Sequence, residues 1–152
     1  MSFFLLGYEN TWRLWNIPTL SPHFADSLVI TAGAESKAMG YDPLIDNPMD
    51  PWQRKLNYPR IWQMLYLLGI NRDHTLYFGI VISILFITGL FLFVSAHIEK
   101  FTSLVLTVII FSPAILFGIE RANVDLFMFF LLSLAIFMMN KNHVFFLDSR
   151  LY

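Results

Sequence analysis

The 152-residue chain is 57% hydrophobic and only 14% charged, with 16 phenylalanines and a mean hydropathy of +0.59, a composition suited to a bilayer rather than to water. Its 10 basic and 11 acidic residues nearly cancel, leaving no field to draw nucleic acid. The absence of cysteine excludes disulfide scaffolds, thiolate zinc and iron–sulfur sites and thiol nucleophiles.

In chain order, Phe3–Leu6 is a brief apolar stretch that lacks the basic start, long apolar region and cleavage site of a signal peptide; it reads as the tail of a helix. Ser21 before Pro22 makes an N-cap and first-turn pair, and Gly40 a stop, which predicts a helix over 22–39. Phe24, Ala25, Leu28, Val29, Ala32 and Met39 would form its apolar stripe. Asp26 falls in its first turn, where a carboxylate also complements the helix dipole. Glu35 follows about half a turn round the helix, so the two acids are not a pair on one face. Prolines at 43, 48 and 51 then impose turns and extended backbone. Asp42, Asp46 and Asp50 fit those turns and lack the ligand spacing and glycine of a calcium loop. Pro59 opens a second short helix, 59–68, closed by Gly69, with Trp62 and Tyr66 suited to the headgroup level.

Residues 1–74 hold 13 of the 21 formal charges and most of the prolines, and the apolar runs begin at Thr75. Three transmembrane helices are expected, at 75–96, 101–119 and 122–140, followed by a short cytoplasmic tail at 141–152. Arg60, Arg72 and Arg121 on one side balance Lys100, Lys141 and Arg150 on the other, so the positive-inside rule returns a tie. In the polar hexapeptide Glu120–Asp125, Arg121 and Asp125 stand four apart and are placed to pair on one helical face. Asp125 enters the third span, where an ionisable group faces a bundle interior or a water-filled cavity. The scattered His23, His74, His97 and His143 form no metal-ligand spacing, and no phosphate loop, nucleophile elbow or zinc motif is present; no metal and no cofactor are expected.

Four short segments in order, Phe24-Ala25-Asp26, Gly40-Tyr41-Asp42-Pro43, Asn57-Tyr58-Pro59-Arg60 and Arg121-Ala122-Asn123, carry a resemblance. The chain resembles the integral-membrane GT-C-type glycosyltransferases, especially the polyprenol-phosphate-mannose-dependent mannosyltransferase family and its bacterial relatives, over roughly residues 20–140. The resemblance implies a sugar moved from a polyprenyl-phosphate donor to an extracytoplasmic acceptor, with Asp26 as general base. It carries over Asp42, Tyr58, Arg60, Arg121 and Asn123 as substrate-binding positions, which Asp125 joins. Ala122 stands where the relatives usually have glycine. Such enzymes have roughly eight or more spans against the three expected here, so the resemblance is to a partial or truncated member.

The sequence thus predicts an all-α integral membrane protein of the inner membrane, residues 8–74 forming an extracytoplasmic loop region with short helices. Its expected partners are the lipid bilayer and a lipid-linked sugar donor. The rival reading is a small non-catalytic membrane subunit or orphan fragment whose polar loop binds a membrane-protein partner.

Overall fold

The computed structural model describes residues 2–94 and 100–148. Among them the secondary structure is all helical: α1 (Ser2–Leu14), α2 (Ala25–Ala38), a 3₁₀ helix (Arg60–Leu68), a short 3₁₀ turn (Arg72–His74), α3 (Thr75–Val94), α4 (Lys100–Ile110), α5 (Pro113–Arg121) and α6 (Val124–Asp148). Ser95 and Ala96 of the first expected span, the link His97–Glu99 and Arg150 of the tail lie outside the described residues. Residues 141–148 of the expected tail continue α6.

The apolar start is part of a longer helix than the sequence indicated. Residues 3–6 belong to α1, which breaks at Gly7, where φ is 77° and ψ 172°. Beyond that break Thr11, Trp12 and Ile17 are buried and seat the segment on the protein.

The expected N-cap at Ser21 is corrected. The chain passes through a cis Ser21–Pro22 peptide bond and a left-handed Phe24 (φ 57°) before α2 begins at Ala25, with no side-chain cap. The physical reason is packing: an added Cβ at Gly79 would lie 2.6 Å from the Phe24 ring, so that ring sits directly on the α3 backbone. At the other end Gly40 does terminate the helix, at φ 92°. α2 is buried on nearly every side rather than along one stripe, and Met39 is exposed. Its interior hydroxyls are all answered. Ser27 Oγ donates to the Ala122 carbonyl (2.8 Å), Thr31 and Thr75 share a 2.7 Å hydrogen bond, and Ser36 Oγ donates to Asn47 Oδ1 (2.6 Å). Buried polar groups need such partners, and here the partners tie α2 to the loop, to α3 and to the start of α6.

Residues 41–58 form the turns that the prolines dictate. They are locked by Asp50, whose fully buried carboxylate takes both Arg54 Nε (3.2 Å) and Arg54 Nη2 (2.8 Å). The second short helix occupies 60–68 between Pro59 and a left-handed Gly69, in 3₁₀ rather than α geometry. With three residues per turn, Trp62 and Leu65 share the face that packs on Val29, Ile30, Leu56 and Val124. Ile61, Met64 and Leu67 share another face and are exposed.

α3 and α6 run side by side and in parallel. Gly79 abuts Ala122, Ile82 clusters with Leu126, the Phe86 ring meets Phe129 at a tilt, and Gly89 meets the Phe130 backbone, the two numberings rising together. The glycines permit this approach: a Cβ at Gly89 would lie 2.9 Å from Phe130 Cα. The stretch expected as one span at 101–119 is instead two helices, α4 and α5, bent by 47°. Ser112 caps α5 and Pro113 sits in its first turn, where its missing N–H costs nothing.

Among the described residues, one helix, 72–94, is long and apolar enough to cross a bilayer, or up to two if the bent pair is one span. Its apolar window is only 22% buried, and Leu76, Tyr77, Ile80, Val81, Ile84, Ile87 and Phe91 are all exposed. α6 adds a shorter apolar stretch, Val124–Met139.

Candidate functional site

The site forms where α2 begins, because that helix is pinned against the α5–α6 junction. Ala122 interrupts the two helices with φ 47° and ψ 55° and is wholly buried. This left-handed turn aims the next side chain, Asn123, back across the chain toward Asp26. Asn123 Nδ2 donates to Asp26 Oδ2 at 2.8 Å, while Asn123 Oδ1 accepts the Asp125 backbone N–H at 2.8 Å. A carboxylate can only accept and a backbone N–H only donate, so both contacts agree on the orientation of the amide. The break also explains a departure from expectation. Arg121 ends α5 and Asp125 starts α6, so they do not share a helical face, and Arg121 turns to Glu120 instead.

Asp26 lines a cleft of about 240 Å³ with Val29, Arg54, Lys55, Asn57 and Tyr58. Burial raises the Tyr58 phenol from 10.0 to about 12, and the negative Asp26 and Asp125 carboxylates add to it. Tyr58 therefore remains a hydrogen-bond donor at any physiological pH. On the other side of Asn123, an apolar cavity of about 450 Å³ lies between α3, α4, α5 and α6. Phe86, Leu90, Ile110, Ile115 and Phe129 are among its walls, and Asn123 and Asp125 supply its polar end. Asn123 thus lines the apolar chamber and bonds to Asp26, which lines the polar cleft.

A second polar group backs the site. Glu120 is fully buried; its Oε1 accepts the Leu20 N–H at 3.4 Å and its main-chain carbonyl accepts the Tyr8 hydroxyl at 3.1 Å. Arg121 Nε approaches Glu120 Oε2 at 2.9 Å but off the hydrogen-bonding direction, so the contact is an ion pair only. The Arg121 guanidinium lies over the Phe117 ring at 4.6 Å, and the Tyr8 and His23 rings stand 3.9 Å apart. The Tyr8 phenol is raised by burial first and by Glu120 second.

Of the residues expected from the sequence, Asp26, Tyr58, Asn123 and Asp125 are brought together. Asp42 and Arg60 pair with each other at 3.0 Å on the protein's surface and do not line the cleft. Slight desolvation raises the Asp42 carboxyl, but the Leu44 N–H and the Arg60 guanidinium outweigh it and hold it below its ordinary value. Glu35 is also engaged elsewhere, by Arg72 at 2.9 Å. The sequence reading missed Lys55 and Arg54, which line the cleft, and the buried Glu120. The Lys55 signal was visible only as its neighbourhood to Asn57-Tyr58, whereas nothing local distinguishes Glu120 from a surface acid at a helix end. Among the described residues no three His, Asp or Glu side chains converge to hold a metal ion. Comparisons with protein-family models, curated proteins and solved structures find no match for this chain.

Proposed function

We propose that the chain is part of a membrane glycosyltransferase of the lipid-phosphate-sugar type, resembling the GT-C enzymes, with the cleft at Asp26 on the outer face of the inner membrane. The observation that carries this reading is the Asp26–Asn123 hydrogen bond, which joins two segments 97 residues apart at the junction of a polar cleft and an apolar chamber. A donor made of a prenyl chain and a sugar phosphate has the same division: its tail suits the chamber and its head the cleft. Such a donor arrives through the membrane, so no nucleotide-binding domain is required.

In the proposed reaction Asp26 takes the proton of an acceptor hydroxyl as its oxygen attacks the anomeric carbon. The bond from that carbon to the phosphate oxygen breaks, its electron pair stays with the phosphate, and the configuration inverts. Asn123 holds the Asp26 carboxylate in place, and the Tyr58 phenol is placed to donate to a sugar or phosphate oxygen.

The parallel course of α3 and α6 supports three crossings. Two parallel spans consecutive in one direction require the chain to return between them, and α4 with α5, 11 and 9 residues long, is the segment available. The bend then lies within one broken crossing, where the Ser112 hydroxyl accepts the Ile115 N–H left free at the break. On this topology the loop region, the start of α3 and the start of α6 share the outer side.

The experiment is transfer of labelled sugar from a polyprenyl-phosphate donor in membranes carrying the chain. Asp26→Asn should abolish incorporation above background while protein levels hold; unchanged incorporation removes Asp26 as the base. The rival partner-binding reading draws on the exposed Ile61, Met64 and Leu67 of the 3₁₀ helix. It requires that incorporation be absent with the unaltered chain as well and that a membrane protein co-purify through that face.

A further inference from the structure

Resting on the transfer reading above, we infer that Lys55 is the residue that takes the phosphate of the lipid-linked donor. As the anomeric carbon–oxygen bond breaks, its electron pair adds a full negative charge to the phosphate, and an apolar boundary offers little water to stabilise it. A positively charged donor is needed close to Asp26. Of the cations beside the cleft or carried over by the resemblance, Arg54, Arg60 and Arg121 are already engaged.

Arg60 is tied to Asp42 outside the cleft. Arg121 is tied to Glu120 and lies flat over Phe117. Arg54 does line the cleft, but its guanidinium forks onto the buried Asp50 and donates to the Ala25 carbonyl at 2.8 Å, with its carbon 4.5 Å above the Trp52 ring. Drawing it onto a ligand would strand a carboxylate that has no access to water.

Lys55 is different. It lines the cleft with Asp26, Asn57 and Tyr58, and among the described residues it makes neither an ion pair nor a side-chain hydrogen bond. The backbone fixes its direction. The Leu56 N–H donates to the Pro43 carbonyl at 2.8 Å and the Leu56 side chain is 2% exposed, so the flanking Lys55 and Asn57 turn the opposite way, into the cleft. A flexible ammonium with three rotatable donors suits a group that must be gripped and then released. Asn57 and Tyr58 on the same wall add neutral donors, so the phosphate meets one charge and two dipoles while Asp26 stays available for the acceptor.

The test is binding of citronellyl phosphate and of citronellol to the detergent-solubilised protein, followed by thermophoresis. Lys55→Gln should weaken citronellyl phosphate by about tenfold or more, the size of a lost charge-assisted hydrogen bond, and leave citronellol unchanged. Lys55→Arg should restore most of the affinity. Equal binding of citronellyl phosphate by the unaltered and Lys55→Gln proteins overturns the lysine assignment and leaves the transfer reading standing. Failure of the unaltered protein to prefer citronellyl phosphate over citronellol overturns both. Because Lys55 is exposed, its replacement leaves the fold intact, which a matching melting temperature verifies.

Discussion

At the scale of single residues, the site depends on two backbone conformations that side chains ordinarily avoid. Phe24 and Ala122 both occupy the left-handed region, and each costs roughly 1 kcal/mol or more for a residue with a Cβ. Phe24 is held there by the Gly79 surface, and Ala122 by full burial and by the Ser27 hydroxyl on its carbonyl. Glycine would be conformationally suited to the same turn. Alanine keeps the turn and adds a methyl against Gly79. The Tyr58 environment gives a direct check on the cleft. Its phenol is raised in the folded chain, so the fold favours the protonated form. That contribution is complete below about pH 10 and is lost as pH rises toward about 12. Tyr58→Phe should therefore reduce the fall in melting temperature between those limits, with Tyr8, also raised, supplying what remains. An unaltered alkaline profile would place Tyr58 in water, away from Asp26 and Asp125.

At the scale of elements, one dipeptide illustrates how far local sequence can be trusted. Ser-Pro occurs at 21–22 and at 112–113. At 112–113 it does what helix-start chemistry predicts, with Ser112 as cap and Pro113 in the first turn. At 21–22 it makes a bend, and α2 starts three residues later, because Phe24 must seat on α3. The difference is tertiary and invisible in a short window. By contrast, Pro59 and Gly69 bracket their helix in structure as in sequence, since both act through their own backbone. The site divides in the same way. Asp26, Tyr58 and Asn123 were legible as motif positions, but the pairing of Arg60 with Asp42 and of Arg121 with Glu120 depended on neighbours brought in by folding. The α3–α6 contact supplies the element-scale prediction. Gly89→Leu would drive carbon into the Phe130 backbone, and such overpacking costs about 1–3 kcal/mol. Its melting temperature in detergent should fall clearly, while Thr88→Leu, on the exposed side of the same helix, should match the unaltered protein. Equal melting of both variants would mean that the helices do not meet at Gly89.

At the scale of the whole molecule, composition announced a chain rich in apolar surface, and the fold leaves most of that surface on α3 uncovered. Run lengths alone could not reveal the parallel pairing of α3 with α6, which depends on glycines ten residues apart and on Phe130 opposite one of them. If α4 and α5 together cross the bilayer, the loop region and the beginning of α4 lie on opposite sides. The native chain has no cysteine, so single exposed cysteines report this cleanly. Asp46→Cys should react with an impermeant maleimide in intact cells, and Thr102→Cys should react only after lysis. Labelling of both in intact cells would make α4 and α5 a re-entrant hairpin and overturn the three-crossing topology.

The bridging amide of Asn123 also makes the site intolerant of an acid at that position. Asn123→Asp would exchange an N–H donor for a repelling oxygen 2.8 Å from the Asp26 carboxylate. The Ser27 hydroxyl on the Ala122 carbonyl would still hold the two distant segments together, so the change spoils the polar contact and spares the fold.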